Sequence, residues 1–494
     1  MPIAPALTPA LLPPDHPDRA QLAAEVHARP PEPLTAPRHA SYVAVRIDSD
    51  ARDAELAHLS ALCQQYGVAP PPAGGTQWAT DLGPLRLKWE RHGEFSSYTF
   101  FAPGLAAVPF AEPAAQGLPP GWLAAVPGLT VCAVHAELAS LASDTREPGP
   151  ANLGAATADR ANTAAQDSLP SAQQLAAAFG ANVVVGASIG EGAGLALTDF
   201  VIHADGFARF LLRSRDMTSR QAGRMLQRLF EIEAYRMMAL LALPVARGLW
   251  TRLLVIERTL AELTSLIARS DTGNPSASRR AGADPGRSAK VDSAKVDSLH
   301  ADDALLQRLM ALAAEVENAL AASQARFSAS RAYHALVTTR ITELREQRIP
   351  GLQTIDEFMA RRLSPAMATC ATVSQRLHNL SERVAQVSSL LSTRVDITRQ
   401  QQNQALLAAT AHRAKLQLRL QQTVEGLSVA AIVYYLTGLV GYGAKALKAA
   451  GLGLSPDLLT GIAVPLLGVG AWWVLRRVHR RIAQDDLQDG SRSF

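Results

Sequence analysis

The sequence predicts an α+β cytosolic domain, then long antiparallel or coiled-coil helices, then a C-terminal two-helix transmembrane hairpin. Three observations carry this class. Apolar residues alternate with period two in 41–138 and again in 182–212, as half-buried strands require. From residue 218 the apolar steps become three and four, the spacing of helices packed side by side. Two uncharged runs, 426–444 and 458–475, lie near the end of the chain. At about 150 residues per domain, 494 residues make roughly three units.

Residues 1–40 form a Pro-rich segment without a basic stretch ahead of an apolar one, so no signal peptide is expected. Within it Glu25, His27 and Arg29 alternate, which points them the same way in an extended chain ahead of Pro30-Pro31. A carboxylate, an imidazole and a guanidinium on one face suit acid–base work or anion binding. Structural hydrogen bonding or a contact between subunits explains the triplet equally well.

The α+β domain is expected over 41–244. Val43, Val45 and Ile47 share one face, and Leu85, Leu87 and Trp89 oppose Arg86, Lys88 and Glu90. His92-Gly93 is a turn toward the strand 95–101. Residues 142–172 are small, polar and Pro/Gly-bearing, and read as a linker. Strands resume at 182–188, 195–203 and 207–212, with Asp205-Gly206 as a turn. Gly190, Gly192 and Gly194 follow the first of these. Backbone amides in such a loop can cradle a phosphate. The spacing is neither GxGxxG nor a lysine-bearing P-loop, Glu191 opposes an anion, and a strand follows where a helix is needed. A tight turn is the simpler expectation.

Helices begin with a capping box at Thr218 and Gln221 and are ended or kinked by Pro244. The apolar run 237–246 is too short to span a bilayer. The helical stalk is expected over 245–425. Leu249 to Ile267 step 4-3-4-3-4, and 271–300, which contains SAKVD twice, reads as a flexible tip. A second helix runs through Leu309, Val316, Ser323, Ser330, Val337 and Leu344 to Pro350-Gly351. A third passes through Val373, Leu380, Val387 and Leu391, and 365–425 alone makes a rod of about 90 Å. Its centre, 396–404, loses aliphatic residues. There Thr398 and Gln402 mark either a helix surface changing partners or a wet seam along the axis of a symmetric bundle.

Runs of 19 and 18 uncharged residues meet the lower limit of about 17 for a span. Arg413, Lys415 and Arg419 precede the first, and Arg476, Arg477, Arg480 and Arg481 follow the second. The loop between has Lys445 and Lys448, so both termini are expected on the cytoplasmic side, with 476–494 a basic tail. Gly438, Gly441, Gly461, Gly468 and Gly470 suit close helix packing. Val440-Gly441-Tyr442-Gly443 resembles a potassium filter only superficially, because no pore helix or earlier span precedes it.

The segments EVHARPPEPLTAPRHASYVAV (25–45), DGFARFLLRSRDMTSRQAGRMLQRLFEIEAYRMMALLALPVAR (205–247) and TVEGLSVAAIVYYLTGLVGYGAKAL (423–447) resemble a bacterial family described only as predicted membrane-anchored proteins, a domain of unknown function. The likeness covers nearly the whole chain outside 142–172 and 271–300. It implies membrane anchoring and supplies no activity; the expected location is the bacterial inner membrane. The order of elements is also similar to that of CorA-type magnesium channels. That resemblance implies a pentamer whose stalk and first span line a pore, which would place Thr398, Gln402 and Thr437 along it. The family's Gly-Met-Asn signature at the outer mouth is replaced here by Gly441, Tyr442 and Gly443. The asparagine amide that meets hydrated cations is therefore missing, and Lys445 and Lys448 oppose a divalent ion at the entrance.

Other chemistry is poorly represented. Three dispersed cysteines make neither a disulfide framework nor a CxxC site, and twelve histidines make no HxxxH pair. No metal site, cofactor motif or nucleophile constellation is legible. A net charge of +4, with Arg mixed among Glu and Asp, does not indicate nucleic acid. The expectation is a non-enzymatic, homo-oligomeric membrane scaffold or sensor with lipid bilayer as partner. The alternative is a CorA-like divalent cation channel or transporter.

Overall fold

The computed structural model describes residues 15–19, 22–23, 30–72, 74–141, 169–272, 285–449 and 455–489. The chain divides into two compact units, one of Met1–Arg280 with Leu305–Ser388 and one of Ala281–Ala304 with Ser389–Phe494.

The first unit is mixed α/β and is built on a single sheet. Its strands are β1 (Arg38–Arg46), β2 (Gln77–Leu82), β3 (Leu85–Arg91), β4 (Phe95–Pro103), β5 (Leu129–Ser140), β6 (Val185–Ile189), β7 (Gly194–Thr198), β8 (Ala208–Ser214) and β9 (Gln347–Arg348). They lie in the order β2-β3-β4-β1-β5-β8-β7-β6-β9. Neighbours are antiparallel except β5 and β8, which run parallel in register Val134↔Ala208 to Ser140↔Ser214. A parallel pair needs a crossover, and here the chain leaves β5, makes the β6–β7 hairpin and returns along β8.

Alternation along the strands sorts two covered faces. Val43 and Val45 of β1, Leu87 and Trp89 of β3, and Tyr98 and Phe100 of β4 form one core with helix α1 (Arg52–Tyr66) and Trp122. This helix lies within residues expected to alternate as strands. Asp53 and Glu55 sit in its first turn, where the helix dipole favours anions, and Gly67 ends it at φ +66°. Its Glu55 is fully buried and accepts hydrogen bonds from Trp89 Nε1 at 2.8 Å and Tyr98 OH at 2.9 Å. It pins the helix to two strands.

Helix α2 (Ala172–Phe179) starts from a capping box at Ser171 and Gln174. Most of the expected linker, 142–168, lies outside the described residues. The opposite face of the sheet is covered by α3 (Ser219–Leu240), whose own box at Thr218 and Gln221 is present as expected. Tyr42 stacks on Phe230 at 4.9 Å, and Phe95 meets Tyr235 edge-on at 6.4 Å. Gly223 is required here. A Cβ on it would stand 1.9 Å from the Glu32 carbonyl oxygen, and Leu34 N donates to Ser219 O at 2.9 Å.

Helices α4 (Ala242–Thr272), α5 (Pro285–Leu344) and α6 (Ile355–Ala449) follow. Within the first unit their expected seam residues are buried, among them Leu253, Ile256, Leu260, Val316, Phe327, Val337, Val373 and Leu377. Arg376 binds Glu257 through two bonds of 2.7 and 3.2 Å, and Arg252 reaches Glu315 at 3.0 Å. Three boundaries differ from expectation. Residues 285–300, expected as a flexible tip, are the start of α5, because Pro285 suits a first helical position and no breaker follows Gly286. Residues 273–284 lie outside the described residues. Helix α6 starts ten residues before Pro365, because Thr354 and Glu357 exchange capping bonds and Glu346 accepts from Ile355 N and Asp356 N, each at 3.0 Å. Between α5 and α6, strand β9 pairs with β6 and so joins this stretch of the expected stalk to the sheet.

In the second unit, Arg394 and Arg399 of α6 pair with Asp302 and Asp303 of α5 at 3.2 and 2.9 Å. Helix α6 continues unbroken to Ala449, and α7 spans Pro456–Asp489. Gly441 faces Thr460, and Ala444 is buried. Among the described residues one helical stretch, Ser219–Arg269, is long and apolar enough to cross a membrane by length and composition, with 28% of its apolar window buried. It contains the short run 237–246. The apolar stretch Thr460–Val474 is shorter.

Candidate functional site

On β3 the apolar and charged residues alternate as the sequence requires, yet the charged face is not in water. Helix α3 lies over it, and Lys88 and Glu90 are each only 7% exposed. Lys88 Nζ stands 3.0 Å from Glu90 Oε1, so the two charges offset each other beneath the helix, although Glu90 Oε1 accepts no hydrogen bond from the described residues. An unpaired charge there would lose several kcal/mol of hydration, on the order of 3–5 for breaking a buried pair.

From this pair a chain of polar contacts leads outward through three elements. Lys88 Nζ donates to Gln227 Oε1 at 3.3 Å, and Gln227 Nε2 donates to Glu231 Oε1 at 2.8 Å, both on α3. Glu231 accepts from Arg340 Nε of α5. Arg340 also holds Glu343 through bonds of 3.0 and 3.1 Å. Arg228 returns to α3, donating from Nε to Glu343 Oε2 and from a terminal nitrogen to the Glu343 carbonyl, each at 3.0 Å.

Two spaces follow this chain. The inner one, of about 20 Å³ beside Tyr42, Lys88 and Phe230, has room for about one water. The outer groove, about 250 Å³, is lined by Pro31, Arg224, Arg228, Glu231, Arg340 and Glu343. Burial, followed by nearby Cys132 and Tyr235, raises Tyr42 well above the usual phenol range. Burial, with Glu231 next, does the same for Tyr235. Both phenols stay protonated and offer hydrogen bonds, not nucleophiles. The arrangement suits mechanical or electrostatic coupling of sheet to helix far better than bond making.

Other pairings are structural in their geometry. Ser41 Oγ and His135 Nδ1 are 3.0 Å apart, but both are buried, Ala115 N also donates to Ser41, and Phe207 stacks over the imidazole at 3.8 Å. Burial lowers His135 to about 4, so the imidazole is neutral beside the serine hydroxyl. Asp199 Oδ2 holds both Asn182 and His203 at 2.8 Å and locks the loop after β7, where Phe200 has φ +53°. Among the described residues no group of three His, Cys, Asp or Glu is placed to hold a metal ion. The three cysteines are free and buried.

The sequence-derived candidates fall in separate places. Glu25, His27 and Arg29 lie outside the described residues. Gly190, Gly192 and Gly194 make the β6–β7 turn. Gly190 and Gly192 have φ +63° and +95°, and the Gly190 amide is taken by the Leu344 carbonyl at 2.8 Å. Glu191 pairs with Arg345. Thr398 donates to the Arg394 carbonyl at 2.9 Å and Thr437 to the Val433 carbonyl at 2.7 Å, so each hydroxyl is satisfied on its own helix. Gln402 is half-buried. Gly441 meets Thr460, while Tyr442 is exposed and Gly443 has open space beside it.

Sequence reasoning missed the Lys88–Glu90 chain because a charged strand face ordinarily faces water. One signal was available. Gln227, Glu231 and Arg228 sit on α3 among residues apolar enough to be core on both sides. Comparison with known proteins adds no activity, since no curated protein and no solved structure matches the chain. Residues 14–280 and 287–482 match the family described as "Protein of unknown function (DUF3422)", and the chain belongs to that family.

Proposed function

We propose that this protein is a two-pass, homo-oligomeric scaffold or sensor of the bacterial inner membrane, without enzymatic activity, whose sheet domain faces the cytoplasm. One observation carries the reading. Both α6 and α7 expose apolar side chains in register with the two uncharged runs. Leu427, Tyr435 and Leu439 of α6 are more than 70% exposed, and Leu466, Val469, Trp472 and Trp473 of α7 are exposed as well. Large contiguous apolar surface of this kind is unstable in water and stable in hydrocarbon. Gly441 against Thr460 supports a hairpin of the two segments. The stretch Ser219–Arg269, the one long and apolar enough among the described residues, contains α3, whose buried face lies on the sheet, so it is read as a core helix.

Basic residues before 426 and after 475 support cytoplasmic flanks. The sheet-to-helix polar chain supports sensing, since it ties strand β3 to α5 through side chains on α3. Flotation with membranes after alkaline extraction tests anchoring, and a reporter fused after Phe494 tests topology. Release into the alkaline supernatant, or periplasmic reporter activity, overturns the reading.

A second reading, a CorA-like cation conduit, has one favouring observation. Helix α6 is continuous from Ile355 through the first uncharged run to Ala449. The loss of the Gly-Met-Asn signature weighs against it. Selective divalent flux in liposomes, abolished by changes at Gly441 to Gly443, would replace the scaffold reading with this one.

A further inference from the structure

Near the end of the second apolar run, two tryptophans and two arginines form adjacent columns on α7. The Arg476 guanidinium lies 4.8 Å over the Trp472 ring, and Arg477 lies 5.1 Å over Trp473. Both rings are more than half exposed. Neither guanidinium makes a hydrogen bond or ion pair with the described residues, and each has one face covered by a ring. Indoles prefer the membrane–water boundary, and a planar guanidinium presents paired donors that match the oxygens of a phosphodiester.

Resting on the membrane reading above, we propose that this surface binds anionic phospholipid headgroups of the cytoplasmic leaflet. On that reading the hairpin also brings Arg413, Lys415 and Arg419 toward the same face, where a negative surface potential concentrates cations. The opposite end differs. There Lys445 lies 5.9 Å over Tyr442 and Asp457 follows, so charge of both signs is present. The asymmetry fits a headgroup-selective face at one end only.

The test uses the full-length protein reconstituted into vesicles of phosphatidylcholine alone or with phosphatidylglycerol. Flotation in the neutral vesicles reads the membrane proposal, and its failure sinks that proposal first. Thermal unfolding midpoints across a phosphatidylglycerol titration, with soluble glycerol phosphate as a competitor, read the present one. The midpoint should rise with anionic lipid and be unmoved by glycerol phosphate. The double variant Arg476→Gln/Arg477→Gln, which alters only exposed side chains, should weaken the apparent affinity for anionic lipid about fivefold per arginine removed. Equal midpoints in both lipids, or an unchanged titration in the double variant, overturn the assignment. A response reproduced by glycerol phosphate alone overturns the lipid as its source.

Discussion

Lys88 and Glu90 are tolerated beneath α3 because they neutralise each other at 3.0 Å and Lys88 has a further acceptor in Gln227. Lys88→Met removes one charge and strands the other, so it should destabilise by about 3–5 kcal/mol. Lys88→Met with Glu90→Leu should recover most of that loss, which unfolding midpoints of the single and double variants would show. The reverse order, with the double variant the least stable, contradicts the pairing. His135 is a second residue-scale case. Burial lowers it to about 4 from an ordinary value near 6.5, so between these values the unfolded chain takes up a proton that the folded chain refuses. Stability therefore falls as pH drops through that window, by about 2 kcal/mol between pH 7 and pH 5 from this group. Burial of Glu137 acts with the opposite sign, since it raises that carboxyl. The difference between wild type and His135→Gln, measured at both pH values, isolates the histidine.

At the scale of elements, close approach decides which positions are constrained. Gly223→Ala puts a methyl 1.9 Å from the Glu32 carbonyl, so the segment 30–34 must lift from α3. A loss of about 1–3 kcal/mol is expected, with proteolysis newly admitted near Leu34 as the direct readout. Gly441 is milder. A Cβ there would stand 3.7 Å from Thr460, an ordinary contact. Gly441→Ala should leave the midpoint in detergent unchanged, while Gly441→Leu should lower it by pushing α7 away. Equal behaviour of the two variants would show that Gly441 is not a packing position. Helix α6 shows how capping sets a boundary. Thr354, Glu357 and Glu346 start it at Ile355, and Pro365 lies within it.

For the molecule as a whole, the seams of α4, α5 and α6 are largely closed within the first unit, whereas Leu406, Leu407, Leu418 and Leu420 of α6 stay exposed. A helix with such a surface needs lateral partners, so the detergent-solubilised protein should be a homo-oligomer by light scattering with the detergent mass subtracted. A monomer contradicts the oligomeric scaffold and the conduit together. A five-fold ring with Thr398 and Gln402 toward its axis would favour the conduit.

Local spacing made much of this architecture readable from the chain. Strand alternation at 43–47 and 85–90, the capping box at Thr218, and the 3/4 steps of the long helices all depend on neighbours within a turn or two. The two uncharged runs are likewise properties of the chain alone, because length and charge are counted along it. Helix α1 escaped a period-two reading, and 285–300 escaped a compositional one, although both consist of residues that a helix accepts. Burial of the charged face of β3 was of another kind. Lys88 meets Gln227 from 139 residues away, and Arg340 meets Glu231 from 109. Periodicity tells which residues share a face, but whether water or a helix covers that face depends on contacts between distant segments. Pairing of β5 with β8 and the addition of β9 to the sheet were decided in the same way, by crossovers that no local pattern encodes.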